Sequence, residues 1–282
     1  MAKAVSPIDI EAICQGAVNI KRLDMLAGGA EAAQQMLRVG NDARSMWQRP
    51  CPPALRESRA TGVAWAMNNL AWSLHDAGRD GHAGEWWHLA ARVARDAHNP
   101  SLTARIFGQL ARQRLQLGQP QQCLDLTQLA LENDSRKMLA STELAMLWAL
   151  RARAHADMGQ ATNADDALHR ALNYWHQRKR TGEMVDRPWS QHFDEGHLYG
   201  DLAAAWRALL EHGARVATNA LGAYDHAIAL QHPNNRRTRA LQEVGRAMVN
   251  IGYGDLERGV DAAGRALDIG RVGVAASGRR LR

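Results

Sequence analysis

Apolar residues recur through this chain at steps of three and four, with polar residues between them, the spacing of amphipathic helices. Alanine and leucine dominate and runs of β-branched residues are few, so the pattern predicts almost no sheet. The clearest stretch runs from Asn68 to Trp87. It reads as the end of one helix, a turn at Gly78, and a second helix packed back on the first. The same order returns around Gly118, Gly159, Gly213 and the pair Gly252 and Gly254. From Gly78 to Gly252 the successive turn glycines stand 40, 41, 54 and 39 residues apart. A period near forty with helical pattern on both sides of each glycine predicts an all-α, helical-hairpin solenoid.

Small residues fix the register. Ala71, Ala111 and Ala152 stand seven positions before their turn glycines, and Ala247 stands seven before Gly254. Ala83, Cys123, Ala164 and Gly259 stand five after, and Ala90, Ala130, Ala171 and Ala266 twelve after. Two antiparallel helices approach closely only where side chains are small, so a hairpin repeat needs small residues at fixed offsets from its turn. The Gly213 unit fits with Ala208, Ala220 and Ala227 if about two residues are inserted after its turn. These offsets resemble those of the tetratricopeptide repeat, with a longer connector than that family's usual period. The resemblance implies a right-handed superhelix.

Taken in order, Ser6-Pro7-Ile8-Asp9 is a helix start with Asp9 reaching back as in a capping box. Gly28-Gly29 ends that helix, and Ala30 to Gln48 forms a second, with Gly40 as a weak point. Residues 1–50 are expected to be a capping helix pair. About five hairpins fill residues 51–270, with Ser101 expected to cap one of their helices. An insertion at 177–197 stretches the period before Gly213. The last unit is expected to stop at Ile269-Gly270, leaving a basic tail over 271–282.

In tetratricopeptide arrays the first helix of each hairpin lines a concave groove. The resemblance therefore points Trp65, Asn68, Asn69 and Trp72 into that groove, with Arg105, Gln109 and Arg112 beside them and Arg153 beyond. Asparagine and arginine side chains presented from parallel helices suit the backbone amides or carboxylates of an extended peptide. The plainer reading makes both tryptophans packing residues and the arginines solvated ones. Trp86 and Trp87 read as core between hairpins. In the insertion, His192, Glu195 and His197 supply metal-binding atoms without a metal-site spacing, and Asp194 with Glu195 are poorly placed as a catalytic pair. The expectation there is an ordered elbow, with Asp194 or Glu195 at a helix N-terminus. No catalytic residue, metal or cofactor is expected.

Composition narrows the classes further. The net charge is +6, concentrated in Arg236-Arg237-Thr238-Arg239, in His176 to Arg180 and in the C-terminal Arg279-Arg280-Leu281-Arg282. Such a balance permits an acidic partner without showing one. Three widely spaced cysteines, Cys14, Cys51 and Cys123, fit reduced thiols and a cytoplasmic location. No stretch reads as a signal peptide or a membrane span.

Nearly end to end, the chain resembles the C-terminal tetratricopeptide region of actinobacterial transcriptional regulators of the Xre helix-turn-helix type. The resembling stretches are Ile8 to Ile13 through Arg22-Leu23-Asp24 and Gly28-Gly29, Trp72 to Gly78, Pro188-Trp189 with Phe193-Asp194-Glu195, and Ala276 to Arg282. The chain begins where that repeat region begins, so neither a helix-turn-helix nor direct DNA binding is expected of it. The expectation is an effector module, a stand-alone homologue or a fragment. The resulting reading is a non-enzymatic module in transcriptional regulation that binds a peptide, a protein segment or a small effector. Self-association as a homodimer is a further candidate, and no membrane partner is expected. Two rivals are a DNA-associated regulator using basic patches, and an enzyme with a pocket at 177–199.

Overall fold

The fold was analysed in a computed structural model of the chain. It describes residues 3–27, 29–132, 138–181, 193–232 and 235–278, with the backbone alone for 20–34, 179–181 and 271–278. The described residues contain twelve α-helices and one short 3-10 turn, with no strand among them. The chain is all-α and built of helical hairpins. It divides into two compact units, residues 1–113 with 132–139, and residues 114–131 with 140–282.

The first unit opens with α1 (Pro7–Ala27) and α2 (Gly29–Gln48). Ser6 starts α1 as its sequence requires. Its backbone N–H and hydroxyl donate to Asp9 Oδ2 at 2.8 and 2.7 Å, and Arg49 Nη2 donates to the same oxygen at 3.0 Å. Both helices pack on α3 (Arg56–Asp76), which follows a 3-10 turn at Pro53–Leu55. Gly40 is a contact point, not a break in α2. A Cβ there would collide with Leu70 Cδ2, so the glycine lets α2 approach α3. The hairpin partner of α3 is α4 (Asp80–Asp96), and α5 (Pro100–Gln116) follows. Asn99, not Ser101, caps α5: its Oδ1 accepts from Leu102 N–H at 3.0 Å.

In the second unit, α6 (Pro120–Leu131) packs on α7 (Ser141–Asp157), α7 pairs with α8 (Ala161–Thr181), and α7 also lies against α9 (Glu195–Glu211). Next come α10 (Ala217–Leu230), α11 (Arg236–Tyr253) and α12 (Leu256–Gly278), with α9 paired to α10, α10 packed on α11, and α11 paired to α12. The last helix runs through Ile269 and Gly270. One interior glycine costs a helix only about 1 kcal/mol and does not stop it.

Five glycines do stop helices, each with positive φ: Gly78 (74°), Gly118 (68°), Gly159 (70°), Gly213 (88°) and Gly254 (93°). Between Gly252 and Gly254, the turn residue is therefore Gly254. At all five, the next residue's N–H reaches back to a carbonyl five positions earlier, as in Arg79 N–H to Leu74 O and Asp255 N–H to Asn250 O. The small residues at the fixed offsets are all buried, from Ala71, Ala83 and Ala90 to Ala247, Gly259 and Ala266. The Gly213 unit carries the expected two extra residues: α10 begins four positions after its glycine, whereas α4, α6, α8 and α12 begin two after theirs. No helix among the described residues is long and apolar enough to cross a membrane.

Candidate functional site

Two ties place α5 beside α3 in the first unit. Asn99 Nδ2, at the start of α5, donates to Thr61 Oγ1 near the start of α3 at 3.4 Å. Near the end of α5, Gln113 Nε2 donates to Asp80 O at 3.0 Å and Asp80 Oδ1 at 3.2 Å, just beyond the end of α3. The two first helices therefore run parallel, and residues at matching offsets from their turn glycines stand at matching heights.

The predicted residues separate by what their polar atoms meet. Trp65 is only 4% exposed and Asn68 1%, so both are interior. Asn68 holds the hairpin together: its Oδ1 accepts from Trp87 Nε1 at 3.2 Å, from the middle of α4. A buried indole N–H needs such a partner, and this pair was not visible in the sequence spacing. Trp72 is half-buried and stacks edge-on against Trp87 and His75, at ring-centre distances of 6.4 and 5.7 Å. His75 Nδ1 in turn contacts Asp80 Oδ1. Trp87 is thus core within the α3–α4 hairpin.

Asn69 and Gln109 occupy the same place in successive repeats, nine positions before Gly78 and Gly118. They are 8% and 6% exposed. Gln113, one helical turn beyond Gln109 and 1% exposed, joins them. Asn69 Nδ2, Gln109 Oε1 and Gln113 Oε1 have no hydrogen-bond partner among the described residues. Gln113 escaped the sequence reading, although a signal was present: five positions before the turn glycine the other repeats carry Ser73, Ala154, Ala208 and Val249, all smaller. Arg105 and Arg112 are half-buried on the same stripe of α5, four positions before Gln109 and three after it.

Arg153 belongs to the second unit, where Nη1 donates to Asp201 Oδ1 at 3.0 Å and so joins α7 to α9. The equivalent of Asn69 and Gln109 on α7 is Leu150, fully buried. On α9 it is Ala204 and on α11 Gly245. A Cβ on Gly245 would collide with the hydroxyl of Tyr224, whose titration burial pushes up. Gln231 Nε2 and Gln242 Oε1 also lack partners among the described residues, but both side chains pack over glycines of α9. Their Nε2 atoms lie 2.7 and 2.8 Å from where a Cβ would stand on Gly196 and Gly200.

Of the insertion, Trp189 and His192 lie outside the described residues, as do Pro188, Arg279 to Arg282 and Gly28. Asp194 caps α9, its Oδ1 accepting from His197 N–H at 2.8 Å and meeting His197 Nδ1 at 2.7 Å. Burial works to raise the Asp194 carboxyl, but the hydrogen bonds and charge of His197 outweigh it and hold the group below its usual range. Glu195 turns instead toward His226 of α10, at 3.6 Å. The two histidine-bearing contacts diverge, and no group of three His, Cys, Asp or Glu able to hold a metal occurs among the described residues.

No family model matches this chain, and no curated protein matches it. Among solved structures, the crystal structure of BtubC (BKLC) from P. vanneervenii is similar, with a TM-score of 0.50 and 15% identity over 90% of this chain and 91% of that one. At that identity the likeness bears on the fold alone: a second all-helical chain of matching extent.

Proposed function

We propose that the α3–α5 face of the first unit is a non-enzymatic binding surface for an extended segment of a partner protein. The observation that carries this reading is the group of buried carboxamides at Asn69, Gln109 and Gln113, each with one atom lacking a partner. A buried polar atom left unsatisfied costs about 1–3 kcal/mol, which a ligand bearing the complementary group recovers. A peptide backbone alternates C=O and N–H groups along its length. Asn69 Nδ2 suits its carbonyls, and the Oε1 atoms of Gln109 and Gln113 suit its N–H groups. Arg105 and Arg112 on the same stripe favour a segment with an acidic side chain or a free carboxylate. Rotation of side chains, the commonest change at interfaces, brings the amides to the ligand without moving the backbone. The same amides suit a small effector of amide or carboxylate chemistry. The resemblance of Ile8 to Ile13 and of Phe193-Asp194-Glu195 to Xre-type regulators supports placing the module in gene regulation.

Selection of displayed random peptides on the purified chain tests this reading. Selected peptides should lose affinity at least about tenfold on Gln109→Met and on Arg112→Glu while the helical circular dichroism stays unchanged. Equal binding by wild type and both variants would remove the site from this face. A second reading, association with DNA, has Arg236, Arg237 and Arg239 in the first turns of α11 behind it, where positive charge opposes the helix dipole. It requires an affinity that falls steeply with salt.

A further inference from the structure

The last hairpin carries an apolar surface that no described element covers. Leu241, Val244, Met248 and Ile251 advance along α11 by three, four and three residues, which keeps them on one side of the helix. Every exposed residue of α11 from Leu241 to Gly252 is one of these four or Gly252 itself. On α12, Leu256, Val260 and Leu267 form a second stripe at four- and seven-residue steps.

Two contacts place both stripes on the same flank of the hairpin. Gly259 of α12 lies directly against Ile251, at the edge of the α11 stripe. On the opposite flank, Arg265 of α12 reaches Glu243 of α11 at 3.3 Å, and Arg246 reaches the same carboxylate at 2.6 Å. Glu243, Arg246 and Arg265 lie on that side; the apolar stripe of α11 begins one turn after exposed Arg237, and exposed Glu257 stands beside Leu256 at the rim of the α12 stripe.

We infer that this face is the contact between two copies of the chain, related by a two-fold axis. The seven side chains are 45 to 67% exposed. That leaves on the order of 700 Å² of apolar surface, close to the ~800 Å² that each partner buries in a stable interface. An ordinary monomer's largest apolar patch is only about 300–600 Å². A two-fold contact sets a patch against itself, and these seven apolar side chains can meet their own copies without opposing like charges. Docked in this way, α11 and α12 of each copy form a four-helix contact of the kind that apolar stripes at three- and four-residue steps support.

Sedimentation equilibrium of the full chain tests the inference independently of peptide binding, which belongs to the other unit. The wild type should show a monomer–dimer equilibrium. Val244→Glu and Val260→Glu, each present twice in the dimer, should weaken association at least about 100-fold. Met248→Gln, which keeps size and helix propensity, should weaken it about tenfold should the glutamates disturb folding. A wild-type chain that stays monomeric at every concentration would overturn the inference. So would glutamate variants that keep their helicity and dimerise as the wild type does.

Discussion

The two units fill the same repeat positions with opposite chemistry. Nine residues before the turn glycine, the first unit has Asn69 and Gln109, while the second has Leu150, Ala204 and Gly245. Six before it both units carry an arginine, Arg112 and Arg153, and Arg153 joins α7 to Asp201 of α9. Glu243, buried in the second unit, is held by two arginines. These charged groups in the second unit fasten one helix to the next, and the glutamines Gln231 and Gln242 are wedged over glycines. In the first unit Asn68 and Gln113 Nε2 also fasten neighbouring helices, but Asn69 Nδ2, Gln109 Oε1 and Gln113 Oε1 meet no partner among the described residues. A repeat frame needs only small residues and a turn; the large positions between them are left for either stability or recognition, and the two units differ in which they serve.

Substitutions at these matched positions should have opposite signs. The largest effect is expected from Arg153→Ala, which removes the guanidinium bound to Asp201, a carboxylate only 5% exposed at its side chain. Losing one member of a buried pair should cost about 3 kcal/mol in urea unfolding, and the double variant Arg153→Met with Asp201→Leu should recover most of it. A cost below about 0.5 kcal/mol would place the pair among surface salt bridges. Next comes Gly245→Ala, whose methyl runs into Tyr224 and should lower stability by about 1–3 kcal/mol. At the equivalent place in the first unit, Gln109→Met should leave stability unchanged or raise it by up to about 1 kcal/mol, because it removes an unsatisfied acceptor. A large loss of stability there would show that Gln109 serves packing and would erase the contrast. The smallest effect is expected at the cap of α1. Hydrogen bonds from Ser6, then from Arg49, hold Asp9 at about 2, down from an ordinary 3.8. Its contribution is complete above the ordinary value and fades as the pH falls toward about 2. Asp9→Asn should therefore flatten the acid limb of stability between those values, as followed by circular dichroism.

Much of the fold was legible because glycine and alanine were asked to do only one thing each. Positive φ at five turns and close approach at fixed offsets leave a periodic trace that survives without an alignment. Gly40 was misjudged for the same reason: as a helix residue it looks weak, and only the nearness of Leu70 explains it. The site was less legible because hydrogen-bond partners are not written in spacing. Asn68 and Asn69 are neighbours and both buried, yet Asn68 serves the indole of Trp87 while Asn69 Nδ2 meets no described partner. Gln113 was readable only as an oversized residue in a column of small ones. The stripe on α11 was present in the sequence, but an apolar stripe tells nothing of what covers it until the neighbouring helices are in place.

Peptide affinity and stability measured together on Gln109→Met would test most directly whether the first unit trades satisfied contacts for recognition. A variant as stable as the wild type or more so, which no longer holds the selected peptides, is the expected result. A variant that unfolds more easily and still binds those peptides would contradict it.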